Sequence, residues 1–181
     1  MSGGCGAIDR FAGTGAGVPG RARGTGGTGP APARGTMGGM PRPRSPRPRT
    51  ASRETAAGCP CGTAAPYDDC CGRLHRGAAR AGSPQELMRS RYSAFAVGDE
   101  AYLLRTWHPD TRPAAGILDA GTRWLRLDVL ATTGGGPFHA EGTVEFRAHY
   151  RAGGRAGSLH ENSRFTHHEG AWVYLDGAVT E

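Results

Sequence analysis

Four of the five cysteines fall within thirteen residues, Cys59-Pro60-Cys61-Gly62 through Tyr67-Asp68-Asp69-Cys70-Cys71. They form a C-x-C pair and a C-C pair separated by eight residues. Four soft thiolates on one short loop suit a tetrahedral Zn²⁺ with Zn–S bonds of about 2.3 Å. Disulfides fit less well, because adjacent Cys70 and Cys71 have α-carbons about 3.8 Å apart, below the usual span of roughly 4.4–6.8 Å. Cross-pairing of Cys59 with Cys70 and Cys61 with Cys71 stays geometrically open. So does replacement of one cysteine ligand by His75, and the bland alternative is a cluster of inert small hydrophobes. Pro60 stiffens the first turn, and Gly62 lets backbone amides face the sulfurs. Four thiolates on one Zn²⁺ leave a charge of about −2, which amide donors and nearby Arg73 or Arg76 would offset. A closed four-ligand site has no open position for an activating water, so the expected ion is structural.

The elements that must hold this loop follow it closely. Gly72 to Gly82 connect Cys71 to Ser83-Pro84-Gln85-Glu86, which reads as a helix start: Ser83 as N-cap, Pro84 at the first position, Glu86 completing a capping box. Leu87, Met88, Arg91, Tyr92, Ala94 and Phe95 recur at helical spacing, and Gly98 supplies the stop. Asp99 caps a shorter helix carrying Tyr102, Leu103 and Trp107, expected to end at His108-Pro109. From about residue 123 the period shifts toward two. Arg123 to Thr132 sets Leu125, Leu127 and Val129 against Arg126 and Asp128, a strand buried on one face. Gly134-Gly135-Gly136-Pro137 breaks it, and Thr143 to Tyr150 alternates again. Further strands are expected over 158–167 and 172–175, after turns at 153–157 and Glu169-Gly170. Two helices followed by four antiparallel strands predict an α+β domain with helices covering one sheet face.

Residues 1–58 have a different character. They hold 15 of the 31 glycines and 7 of the 13 prolines, with almost no large apolar residues. Such a segment cannot bury enough apolar surface to offset its conformational entropy and is expected to be a disordered tail, with Cys5 a free thiol. Translation from Met37 or Met40 would omit most of it. All 22 basic residues are arginines. Nine stand in 1–58 against Asp9 and Glu54, giving +7, while 13 face 14 acidic residues in the remainder, giving −1. The net charge of +6 therefore belongs to the tail, whose Pro-Arg run suggests, weakly, nucleic acid or ribosome contact. No apolar run is long enough to span a membrane, and no secretory signal or transit peptide is legible, so the cytoplasm is the expected compartment.

The loop Cys59-Pro60-Cys61-Gly62, Tyr67, Cys70-Cys71-Gly72 resembles the SEC-C motif, the small zinc-binding module at the C-terminus of the translocase ATPase SecA and in other bacterial proteins. Thr63-Ala64 stands where Ser-Gly is usual, and Ala65-Pro66 where lysines are common. With Leu87-Met88-Arg89-Ser90-Arg91-Tyr92-Ser93-Ala94-Phe95, Thr106-Trp107-His108-Pro109 and Ser163-Arg164-Phe165, the chain is similar to the YchJ family over about 59–177. That resemblance implies a SEC-C zinc knuckle at 59–75 followed by an NTF2-like domain at 83–177, a cone in which a curved antiparallel sheet wraps against helices. Some family members carry a second SEC-C motif near the C-terminus; none follows here up to Glu181.

Two function classes remain. One is a non-enzymatic adaptor with one structural zinc, its knuckle a contact surface for a protein or ribosomal partner. The other is an enzyme or small-ligand binder using the NTF2-like pocket, with Arg91, Tyr92, Trp107, His108, Glu145, His160, Glu161 and Arg164 as candidate lining. The plainer roles for these residues are ion pairs of Arg91 or Arg164 with Glu145 or Glu161, core packing of Tyr92 and Trp107, and a helix-end contact for His108. No Ser-His-Asp order, phosphate-binding glycine loop or H-E-x-x-H pattern is present. The first class is the favoured expectation. The metal-held loop, with Tyr67 and Leu74 lending apolar contact, is expected to unfold apart from the sheet when the ion is stripped.

Overall fold

A computed structural model describes residues 58–136 and 138–180. The expectations for the N-terminal segment, for Cys5 and for starts at Met37 or Met40 lie outside the described residues, as does Pro137. After a 3₁₀ turn at Tyr67–Asp69 come three helices: α1 (Cys71–His75), α2 (Pro84–Val97) and α3 (Glu100–Arg105). Four strands follow, β1 (Thr122–Gly134), β2 (Glu141–Ala152), β3 (Arg155–His168) and β4 (Ala171–Val179), paired as an antiparallel meander in chain order.

Helix α2 starts and stops where its capping residues require. Ser83 Oγ accepts from the Glu86 amide at 3.2 Å, and Gly98, at φ +78°, closes the C-terminus through its amide to Ala94 O. The Glu86 carboxylate departs from the capping-box expectation. It accepts from the Gly82 amide at 2.7 Å and pairs with Arg73, tying α1 to the start of α2. Asp99 caps α3 through the Tyr102 amide at 2.9 Å.

Helix α3 ends two residues before Trp107 rather than at His108-Pro109. Residues 106–108 instead run beside β4: Tyr174 donates to Thr106 O at 2.9 Å, and His108 donates to Tyr174 O at 2.7 Å. This parallel bridge drops the Trp107 ring into the core, edge-on to Tyr174 with centroids 4.8 Å apart.

The sheet buries Val144, Phe146 and Ala148 of β2 and Phe165 of β3 against Leu87, Tyr92 and Leu103 of the helices. Tight turns at Gly153-Gly154 and at Glu169-Gly170, all at positive φ, join the strands. Strand β1 does not keep the simple alternation. Its register slips between Trp124 and Arg126 and again between Val129 and Ala131, leaving Leu125 and Leu130 about half exposed. The first slip turns Trp124 inward, onto Tyr92, Phe95 and Tyr150. One aromatic ring at the helix–sheet seam displaces Leu125 from the face where alternation had it.

Candidate functional site: a four-cysteine cluster docked on helix α2

The cysteine loop closes on itself before touching the domain. The Cys59 amide donates to Ala65 O at 2.9 Å, and the Gly62 amide, at φ +85°, returns to Cys59 O at 3.0 Å. Cys70 ends the 3₁₀ turn, and Cys71 begins α1. Gly72 lies so close beneath Tyr67 that a Cβ there would stand 2.8 Å from the Tyr67 carbonyl oxygen.

These turns bring the sulfurs of Cys59, Cys61, Cys70 and Cys71 within 4.8 Å of one another. The Cys61–Cys70 and Cys70–Cys71 separations are 3.6 and 3.9 Å. A tetrahedron with bonds of about 2.3 Å has sulfur–sulfur edges of about 3.8 Å, whereas a disulfide needs about 2.05 Å. All four are free cysteines, so neither cross-pairing is present. Their donor set and spacing fit a tetrahedral thiolate metal site.

The thiols already share charge unequally. Cys61 is drawn down, chiefly by the hydrogen bond from Cys71 and then, against burial, by Thr63. Cys71 is pushed up by that same hydrogen bond and by burial, and Cys70 is raised mainly by burial. A cluster that favours one thiolate and disfavours further ones is relieved by a cation. Polar groups surround the sulfurs. Thr63 Oγ1 is 3.2 Å from Cys61 Sγ and 3.1 Å from Cys70 Sγ, and Ser93 Oγ of α2 is 3.6 Å from Cys59 Sγ.

Arg73 and Arg76 do not provide the expected local cation. Arg73 pairs with Glu86, and Arg76 pairs with Asp68 at 2.6 Å. The arginine that reaches the loop is Arg89, whose Nη1 donates to Cys61 O at 2.7 Å. Arg89 and Ser93 are one helical turn apart and so share a face of α2. That i, i+4 spacing is the sequence signal that could have found them.

His75 lies outside the sulfur cluster. Its Nε2–H donates to Ser90 O at 2.9 Å, Nδ1 accepts from Tyr67 OH at 2.7 Å, and the ring packs 4.3 Å from that of Tyr102. Both nitrogens are engaged, which removes His75 as an alternative ligand. Burial lowers its pKa.

The pocket candidates divide among four places. Arg91, 1% exposed, donates to Leu103 O and Thr106 Oγ1 at 2.8 and 2.9 Å, with its guanidinium over the rings of Trp107 and Tyr174. On the same Tyr174, the hydroxyl lies 3.4 Å from Glu161, which also accepts from Ser163 at 2.6 Å. Gly177 makes room for that carboxylate, since a Cβ would meet Glu161 Oε1 at 2.1 Å. Arg91, Trp107 and Glu161 therefore share the interior, while Tyr92 belongs to the Trp124 cluster. Glu145 and Arg164 face away from it: Glu145 accepts from His160 at 2.8 Å, and Arg164 pairs with Asp176. His108 is set apart again, its ring 5.1 Å from that of His168. Among the described residues no helix is long and apolar enough to cross a membrane.

Comparison with known proteins agrees with this arrangement. Residues 83–177 match the family model described as the YchJ middle NTF2-like domain. A UPF0225 protein of Streptomyces coelicolor is 58% identical over 119 residues, covering 66% of this chain and 93% of the relative. One from Streptomyces avermitilis is 54% identical over 142 residues, covering 76% and 99%. Among solved structures, the solution structure of a SEC-C motif containing protein from Rhodopseudomonas palustris superposes with a TM-score of 0.60 at 37% identity, covering 68% of this chain and 99% of that one. A crystal structure of another SEC-C motif containing protein, from Psychrobacter arcticus, gives 0.59 at 28% identity, covering 70% and 85%. With its SEC-C cysteines, its NTF2-like α+β fold and these relatives, the chain belongs to the YchJ (UPF0225) family.

Proposed function

We propose that Cys59, Cys61, Cys70 and Cys71 hold one Zn²⁺ as a structural ion, and that the protein acts as a non-enzymatic binding module in the cytoplasm. The observation that carries this reading is the approach of the four sulfurs to within 4.8 Å, with edges that suit a tetrahedral thiolate site. Four protein ligands leave the ion no open position for substrate or water, so its role is to hold the loop in shape. The loop surface is then the contact face for a protein or ribosomal partner, and the arginine-rich N-terminal segment is a secondary candidate for nucleic acid. The enzyme alternative has less support, because Arg91 and Trp107 lie in the interior whereas Glu145 and Arg164 lie on the opposite sheet face.

Metal analysis after reducing, chelator-free purification tests the metal half of the proposal. One zinc per chain, lost in a Cys59→Ser/Cys61→Ser variant, is the expected result. A zinc-free protein that remains fully folded would overturn it.

A further inference from the structure

A cavity of about 310 Å³ lies where the segment following α1 crosses α2, α3 and the β3–β4 turn. It is distinct from both the sulfur cluster and the Arg91–Tyr174 interior. Its volume is at the lower end of the roughly 300–1,000 Å³ usual for small-molecule sites. Ala79, Ala81 and Ala171 supply a partly exposed apolar wall, while Arg80, Arg105 and His168 supply a polar one.

The polar wall carries uncompensated charge. Arg73, Arg76, Arg126 and Arg164 are each paired with a carboxylate, but neither Arg80 nor Arg105 has an acidic partner among the described residues. Arg105 is nevertheless held in place, donating to His75 O and lying over the Tyr102 ring at 4.6 Å. Those contacts fix the guanidinium without neutralising it. Glu169 is the acidic side chain of the lining, so its two arginines outnumber its carboxylates by one. On the apolar side, the Trp172 indole is steadied by the edge-on ring of His167, with centroids 4.0 Å apart.

We propose that this cavity binds a small organic monoanion with an apolar body, an aromatic or branched aliphatic carboxylate. Its carboxylate meets Arg80 and Arg105, and its body covers Ala79, Ala81 and Ala171. Guanidinium–carboxylate hydrogen bonds are charge-assisted and set orientation, while the alanine wall rewards an apolar body. Inorganic phosphate, having no such body, would leave that wall uncovered.

Calorimetric titration of the metal-loaded protein with phenylacetate, 3-methylbutanoate, uncharged phenylacetamide and inorganic phosphate tests the site. At least one of the two carboxylates should bind saturably, and phenylacetamide and phosphate should each bind about tenfold more weakly or worse. Arg80→Gln replaces an exposed side chain without an acidic partner, so it should weaken the carboxylate severalfold while leaving the melting temperature and the phenylacetamide affinity unchanged. Arg105→Gln should weaken the carboxylate as well, and serves as the second variant. The proposal is overturned if neither carboxylate saturates, if the amide or phosphate binds as well as the acid, or if both arginine variants retain full affinity.

Discussion

Arg89 donates a hydrogen bond of 2.7 Å to the carbonyl of Cys61, joining the middle of α2 to a loop twenty-eight positions earlier. Because that carbonyl belongs to one of the clustered cysteines, the guanidinium also brings positive charge toward the sulfurs. Charge-assisted hydrogen bonds contribute roughly 1.5–3 kcal/mol, and half-exposure reduces that, so Arg89→Ala should cost about 1–2 kcal/mol. Groups that orient metal ligands typically change affinity by about 10–100-fold when lost. If the cluster holds the proposed zinc, its release to a chromogenic chelator should therefore be faster in the variant, whereas Arg76→Ala, which breaks only an exposed pair with Asp68, should leave the release rate at the wild-type value.

Chelation should reach beyond the loop. Leu74 is three residues from Cys71 and 3% exposed within the main core, and His75 is clamped between Tyr67 and Ser90. Stripping the metal should remove hydrogen-exchange protection from 59–76 and weaken it along α2, while β2 and β3 stay protected. Loss of protection in β2 and β3 together with the loop would show that the sheet depends on the ion. In the metal-loaded protein, Leu74→Ala should itself cost roughly 2–5 kcal/mol by opening a core cavity.

His75 makes stability depend on acid. Burial lowers its pKa in the folded protein below the ordinary value of 6.5, so on acidification the unfolded chain takes up the proton first. The contribution of the neutral ring is complete above about pH 6.5 and is lost as the pH falls from there through the lowered folded value. Melting curves of wild type and His75→Gln should converge across that window. A difference that stays constant with pH would show that the ring does not titrate between the two states.

Gly177 and Glu161 should behave as a coupled pair. A methyl group at 177 would stand 2.1 Å from Glu161 Oε1, inside van der Waals contact. Gly177→Ala should therefore cost about 1–3 kcal/mol by overpacking. Combined with Glu161→Ala, the two costs should fall short of their sum, because the clash has been removed. Additive costs would place the source of the Gly177 effect elsewhere.

What was legible in the sequence was local. Ser83, Pro84 and Gly98 mark the ends of α2 because caps are chosen by the backbone within a turn, and the cysteine spacing brings the four sulfurs together because one short loop carries them all. Nonlocal choices were hidden. The β1 alternation misplaced Leu125 because the register slip follows from packing Trp124 against Tyr92, Phe95 and Tyr150, which lie on other elements. Proximity in sequence likewise pointed to Arg73 and Arg76 beside the loop, whereas Glu86 and Asp68 hold them and Arg89 arrives from α2. Arg91, Trp107, Glu145 and Arg164 looked alike as pocket candidates until strand register put the last two on the far face.

Helix α2 assigns consecutive residues to different tasks: Arg89 and Ser93 to the cysteine loop, Ser90 to Tyr102 and His75, Arg91 to Trp107 and Tyr174, Tyr92 to Trp124. This division has an evolutionary consequence. In a lineage that lost the four cysteines, selection would relax at Arg89 and Ser93 alone, and substitutions would accumulate at those two positions. Ser90, Arg91 and Tyr92 would stay under purifying selection imposed by α3 and the sheet. The nine-residue segment would then decay at every fourth position, leaving in the descendant sequence a periodic trace of a loop it no longer has.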